Sequence, residues 1–246
     1  MARDTRIHSD SIHGMGTLRG APDPQKHRDA EREHGSDHRT PRTPRISSSP
    51  IGRKTRLMRL GIIVGHSEDS PGARATFPVD MHEYHFHDKL AIDIYREARE
   101  NGLDAQVFKR DGISRRKLGE LVDAFTGPEG MAVELHFNSF DGQVKGTETL
   151  FDKEPTYNEA FARIMHRHVV RAFERTGKRD RGIKEVEYGT RGWVNLDSVH
   201  CVSCLLEPVF GDNQDEALLL YKNKSEYVRA IVAACVEWTI EREKYV

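Results

Sequence analysis

The sequence predicts an α/β protein: one domain on a mostly parallel β-sheet, with helices on both faces. Three observations lead there. Apolar runs too continuous for a one-sided sheet ("LGIIVG", "MAVEL", "CVSCLL") recur along the chain, as strands covered on both faces require. Segments with helical spacing separate them, the alternation that builds parallel sheets through helical crossovers. The chain also shows no internal repeat and no second apolar core, so the folded part is read as one domain over residues 57–246.

The elements follow in order. "LMRLGIIVG" (57–65) reads as a buried strand. "YHFHDKLAIDIYREARENG" (84–102) reads as a helix with Leu90, Ala91, Ile94 and Ala98 on one face and Gly102 as its stop. "DAQVFKRD" (104–111) is a short strand, and "SRRKLGELVDAFTG" (114–127) a helix with Ser114 as N-cap. "MAVELHFNS" (131–139) and "GTETLFD" (146–152) are strands. "NEAFARIMHRHVVRAFERTG" (158–177) is a long amphipathic helix ending at Gly177. "HCVSCLLEPVF" (200–210) is another apolar strand, and "NKSEYVRAIVAACVEWTIERE" (223–243) closes the chain as a helix.

Residues 1–56 differ in kind. They are rich in Arg, His, Ser, Asp and Pro and nearly devoid of large apolar side chains, so they cannot bury enough surface to offset their ordering entropy. A disordered basic segment is expected there. It holds 12 Lys+Arg against 7 Asp+Glu, which leaves about −6 on the rest of a chain whose net charge is −1. Its five histidines lack metal-ligand spacing, and a folded product starting near Met58 is expected to suffice.

Several function classes fall away. A net charge of −1 argues against a globally basic nucleic-acid binder. No stretch of 18 apolar residues is present, so no membrane span is expected. The first residues hold no continuous apolar stretch of the kind a secretory signal needs. Cys201 and Cys204 form a lone C-x-x-C inside an apolar run, read as two core thiols in a strand.

The chemistry gathers at three strand ends. One apolar strand delivers His66, a second His136, a third Glu207. Ligands of open α/β sheets bind beyond the carboxyl ends of the strands. One histidine at a strand end is usually a structural hydrogen-bonding group, but three such ends point to a converging site. A catalytic zinc ion takes three protein ligands and leaves a position open. His66 and His136 supply two nitrogens, and "MHEYHFHDKLA" offers Glu83, His82, His85 and His87 for a third. Spacing does not choose among these four, and "HEYHF" fails the H-E-x-x-H pattern. Glu207 is open between ligand and general base.

At these residues the sequence resembles the type-3 family of zinc-dependent N-acetylmuramoyl-L-alanine amidases. "GHSEDSPGA", "EYHFHDKLA", "LHFNSFDGQVKGTETLF", "RGIK" and "LLEPVFGDNQDEALL" are similar, in that order, to the family's motifs over about residues 59–235. The resemblance implies one Zn2+ held by His66, Glu83 and His136, Glu207 as the catalytic carboxylate, and peptidoglycan as the substrate. Asn138, Glu148 and Arg181, in the matching motifs, are expected substrate contacts, and "RGIK" a turn. His87 stands where the family has Asn, and Pro208 where Val is frequent. The setting implied is a phage or prophage endolysin, or a bacterial enzyme with unrecognised export. Two other readings remain open: another zinc amidohydrolase or carboxypeptidase acting on a small acyl-amino acid, and an inactive wall-binding module.

Overall fold

The structure, a computed structural model, describes residues 57–245. The basic segment 1–56 lies outside the described residues. In chain order the strands are β1 (Arg59–Val64), β2 (Arg74–Ala75), β3 (Met81–His82), β4 (Asp104–Phe108), β5 (Met131–Leu135), β6 (Thr147–Phe151), β7 (Asp180–Glu185) and β8 (Val202–Glu207). The helices are α1 (Glu83–Glu100), α2 (Arg115–Thr126), α3 (Asn158–Ala172), α4 (Trp193–Leu196), α5 (Gln214–Lys222) and α6 (Lys224–Glu241).

Six strands form one sheet in the order β4-β1-β5-β8-β6-β7, and β2 pairs with β3 in a small antiparallel hairpin. The β4-β1-β5-β8 half is parallel throughout. β6 runs antiparallel to β8, and β7 parallel to β6. The reversal has a local cause. Parallel neighbours need a crossover of a dozen or more residues, usually a helix. The segment between β5 and β6 contains no helix, so the chain returns in the opposite sense.

Side-chain alternation divides the core. Leu60, Ile62 and Val64 of β1, Met131, Val133 and Leu135 of β5, and Val202, Cys204 and Leu206 of β8 share one large cluster with α1, α3 and α6. Ile63 and Ala132 face the other way, onto Leu118 and Val122 of α2. Burying a side chain of this size is worth about 1.5–3 kcal/mol. The run Leu60–Val64 therefore makes β1 a rigid central strand, and the site is built on its end. Cys201 and Cys204 are buried thiols in and beside β8, as expected.

Several elements differ from the sequence reading. "RGIK" lies within strand β7 rather than in a turn, although Gly182 keeps a positive φ of 77° there. α3 ends at Ala172, and Gly177 instead opens a short 3-10 turn. α4, α5 and the β2-β3 hairpin had no counterpart in the reading. Ser114 caps α2 as expected, its hydroxyl accepting from the Lys117 N–H at 3.2 Å. Among the described residues, no helix is long and apolar enough to cross a membrane.

Candidate metal centre and active-site pocket

β1, β5 and β8 all end at one edge of the sheet, and one cavity of about 280 Å3 lies over it. His66, Glu83, His136 and Glu207 all line this cavity.

The loop after β1 brings the first two together. His66 sits at φ +67°, a left-handed conformation that histidine visits more readily than most residues. The loop then folds back so that the Ala73 and Pro71 carbonyls accept from the Glu83 and Tyr84 N–H groups, at 2.9 and 3.0 Å. Two otherwise unpaired donors of the first turn of α1 are thereby satisfied, and Glu83 is set against His66. The third residue, His136, follows β5 directly, its N–H donating to the Leu206 carbonyl at 3.0 Å.

The donor atoms converge. Glu83 Oε2 lies 3.2 Å from His66 Nε2, and Glu83 Oε1 2.8 Å from His136 Nδ1. The two imidazole centroids are 5.0 Å apart. Glu83 is almost fully buried, and its oxygens also accept from the N–H groups of Ala73 at 3.1 Å and Phe137 at 3.0 Å. Burial disfavours its charge, but the hydrogen bonds from both histidines outweigh that and hold it well below the usual carboxylate range. Burial likewise disfavours the His136 imidazolium, yet Glu134 and Glu83 on either side raise its pKa to about 10.

One ligand atom from each of His66, Glu83 and His136 falls within 4.8 Å of the others. Two nitrogens and a carboxylate oxygen are a donor set suited to Zn2+. The backbone is shaped around them. A Cβ on Gly72, at φ +77°, would stand 2.6 Å from the His66 ring and 2.7 Å from Glu83 Oε2. A Cβ on Gly65 would stand 2.5 Å from the His136 ring.

Glu207 faces the same cavity from the end of β8 and is 2% exposed. Its Oε1 accepts from Arg191 at 2.7 Å, whereas its buried Oε2 has no hydrogen-bond partner. Burial pushes the carboxyl up to about 8, against the pull of the His136 and Arg191 charges.

Asn138, Glu148 and Arg181 stand behind the pocket wall and do not line it. Glu148 pairs with Glu207 in the β6-β8 register. It accepts from Asn138 at 2.7 Å, Arg181 at 2.6 Å and Lys184 at 2.5 Å. The Asn138 carbonyl in turn accepts from Arg191 at 2.5 Å. The three thus interlock behind Arg191, which grips Glu207. Of the remaining histidines, His82 contacts the Gly72 carbonyl at 3.3 Å and His85 is exposed. His87 is fully buried with neither ring nitrogen partnered, and burial lowers its pKa to about 3.

Among the pocket residues that the sequence reading does not single out, four bear on the site. Glu134 stands 3.0 Å from His136 Nε2, and Asn195 donates to Glu134 at 2.5 Å. Arg115 donates to the Asn195 side-chain carbonyl at 3.0 Å. Arg191 is the fourth. Only Glu134 left a signal, as an acid inside an otherwise apolar strand on the same face as His136, two residues on.

A parallel-sheet edge with a His-Glu-His cluster and a buried carboxylate over one cavity defines the class: an α/β enzyme with a metal-competent active site. The chain belongs to the N-acetylmuramoyl-L-alanine amidase family, which it matches over residues 60–237. It is a hydrolase, an amidase of the peptidoglycan-degrading kind. Solved structures share its fold. The catalytic domain of CwlV, an N-acetylmuramoyl-L-alanine amidase from Bacillus (Paenibacillus) polymyxa var. colistinus, is 20% identical with a TM-score of 0.63, over 74% of this chain and 98% of that one. An N-acetylmuramoyl-L-alanine amidase from Clostridium difficile 630 is 18% identical with a TM-score of 0.62, over 74% and 97%. The catalytic domain of the CD27L endolysin, which targets Clostridia difficile, is 22% identical with a TM-score of 0.59, over 73% and 97%. Among curated proteins, none matches the chain.

Proposed function

We propose that the protein hydrolyses the amide between the lactyl group of N-acetylmuramic acid and the L-alanine of the stem peptide, with one Zn2+ held by His66, Glu83 and His136. The observation that carries this reading is the meeting of that donor set and the buried Glu207 carboxylate over one cavity, in a chain of this family. Bound there, Zn2+ would polarise the scissile carbonyl and lower the pKa of an attacking water toward about 7.

The chain's own residues do the rest. Glu207 accepts the proton of the attacking water through Oε2, the oxygen that Arg191 leaves free. As the C–N bond breaks, Glu207 passes that proton to the leaving L-alanine amine. Arg191 fixes the carboxylate's rotamer, and Asn138, Glu148 and Arg181 fix Arg191. Glu134 accepts from the His136 nitrogen that faces away from Glu83 and orients the ring, as carboxylate partners of metal-bound histidines do.

Zinc content and turnover of three variants test the assignment. His66→Ala and His136→Ala are expected to lose metal. Glu207→Ala is expected to keep it while turnover falls roughly 100- to 10,000-fold. Full zinc content in both histidine variants would remove the ligand assignment, and near-normal turnover in Glu207→Ala would remove the general base.

A further inference from the structure

Of the three residues of the cluster, His66 is the least supported through its own side chain. Glu83 accepts from two backbone N–H groups, and His136 has Glu134 on its second nitrogen. The His66 ring has, among the described residues, no polar partner other than Glu83, and its side chain is 29% exposed. A metal-bound histidine usually has its second nitrogen engaged, which fixes the ring. Here the backbone sets the ring's direction instead, at φ +67°. That conformation costs a non-glycine residue free energy and persists only where the surroundings hold it. The loop that follows supplies the hold. Ser67 and Ser70 close its tip on itself through two backbone bonds of 3.3 and 3.1 Å. Among the described residues, that tip makes one hydrogen bond to another element: the Glu68 N–H donates to Asp111 Oδ1 at 2.9 Å.

The other oxygen of the same carboxylate reaches α1. Asp111 Oδ2 accepts from the Tyr84 hydroxyl at 2.5 Å, and Tyr84, next to Glu83, is almost fully buried. The Tyr84 N–H is bonded in turn to the Pro71 carbonyl, at the far end of the His66 loop. Asp111 therefore joins that loop to the residue beside Glu83 and closes a ring of contacts around two members of the cluster. Its own place is fixed after β4. The preceding Lys109 bonds Asp88 of α1 at 2.5 Å, and the Ile113 N–H closes a turn on the Arg110 carbonyl at 3.2 Å. Burial disfavours the Asp111 charge, but the Tyr84 hydroxyl and the Glu68 N–H hold its carboxyl below the ordinary value, leaving both oxygens as acceptors. We propose that Asp111 is a positioning residue of the metal centre: through the Glu68 N–H and the Tyr84 hydroxyl it holds His66 against Glu83 and so raises the affinity for Zn2+. The inference rests on the ligand set assigned above, and Asp111 itself does not line the cavity.

The test is a zinc titration of the full chain against a chromophoric chelator, for wild type, Asp111→Ala, Asp111→Asn, Tyr84→Phe and Asp111→Ala/Tyr84→Phe. The visible spectrum of the Co2+-loaded protein and the thermal midpoint of the metal-free protein are recorded for each. Losing an outer partner of a metal ligand costs about 10- to 100-fold in affinity, and Asp111 is exposed, so the lower end applies. Asp111→Ala is thus expected to weaken zinc binding about tenfold and to change the Co2+ ligand-field bands. Tyr84→Phe, which removes one of the two arms, weakens it less. The double variant binds no more weakly than Asp111→Ala, because both changes act through one carboxylate. Asp111→Asn keeps an acceptor for the Glu68 N–H, and its amide can donate to the Tyr84 hydroxyl, so it restores most of the affinity. Unchanged zinc affinity in Asp111→Ala overturns the proposal, as does a lowered thermal midpoint with affinity and Co2+ bands intact. Losses that add in the double variant overturn it too. If Asp111→Ala does not fold, Tyr84→Phe decides, a weakened affinity supporting the proposal and an unchanged one refuting it. A wild type that binds no zinc brings down the ligand assignment as well.

Discussion

Arg191→Met isolates the control of Glu207. Arg191 donates to Glu207 Oε1 at 2.7 Å and to Asn138 at 2.5 Å, and its side chain is 60% exposed. A hydrogen bond between charged partners is worth about 1.5–3 kcal/mol. Solvent screening at this exposure reduces that to about 1–1.5 kcal/mol, which is about one pH unit. Burial already pushes the Glu207 carboxyl up to about 8, and the Arg191 charge pulls it down. Losing that charge moves the pKa up. In the proposed mechanism Glu207 must be ionised to accept the proton of water, so activity should fall on the acid side of its pKa. The acid limb of the kcat/KM profile should therefore move to higher pH by about one unit, with the alkaline plateau lowered only several-fold because Oε2 remains. A cation bound at the His66–Glu83–His136 cluster lowers the limb in both proteins, so the difference between them is the quantity to read. Arg191→Lys should recover part of the shift, since it keeps the charge but not the fork. An acid limb that stays in place, or moves to lower pH, would refute the role given to Glu207 and to Arg191.

Two further predictions concern the scaffold. Gly72→Ala places a methyl group 2.6 Å from the His66 ring and 2.7 Å from Glu83 Oε2, on a backbone at φ +77°. Weaker zinc binding by chelator competition is expected, with the fold retained by circular dichroism; unchanged affinity would mean that the loop does not set the cluster. Arg175 and Glu216 form a buried ion pair at 2.5 Å between the end of α3 and α5. Glu216→Ala alone should cost about 3–5 kcal/mol in denaturant unfolding, while Arg175→Met/Glu216→Leu should recover most of it. Equal losses in both would show that the pair's charges are not the source of the cost.

What the chain revealed in advance follows from where each part draws its stability. β1, β5 and β8 are buried on both faces, so their sequences are continuous apolar runs, and the polar residues closing them, His66, His136 and Glu207, stand out. β7 is an edge strand with the half-exposed sequence "DRGIKE", which carries no periodicity of its own. Its pairing with β6 makes it a strand. The antiparallel sense of β6 was equally invisible, because it depends on a connection without a helix rather than on the strand's own residues. The pocket divides in the same way. Residues at strand ends were legible, whereas Arg191 and Asn195 come from the segment between β7 and β8 and reach the site only through tertiary packing. Asn138, Glu148 and Arg181 lay in recognisable motifs, but their sequence gives no sign that they stand behind the wall rather than on it.

The most direct test of the account is the chemical identity of the products when purified peptidoglycan is digested by the zinc-loaded wild type and by Glu207→Ala. Mass spectrometry should find stem peptides with a new free amine on L-alanine and muramic acid with a free lactyl carboxylate, in the wild-type digest and in only trace amount with Glu207→Ala. New termini at any other bond, or equal release of alanine amines by the two proteins, would contradict it.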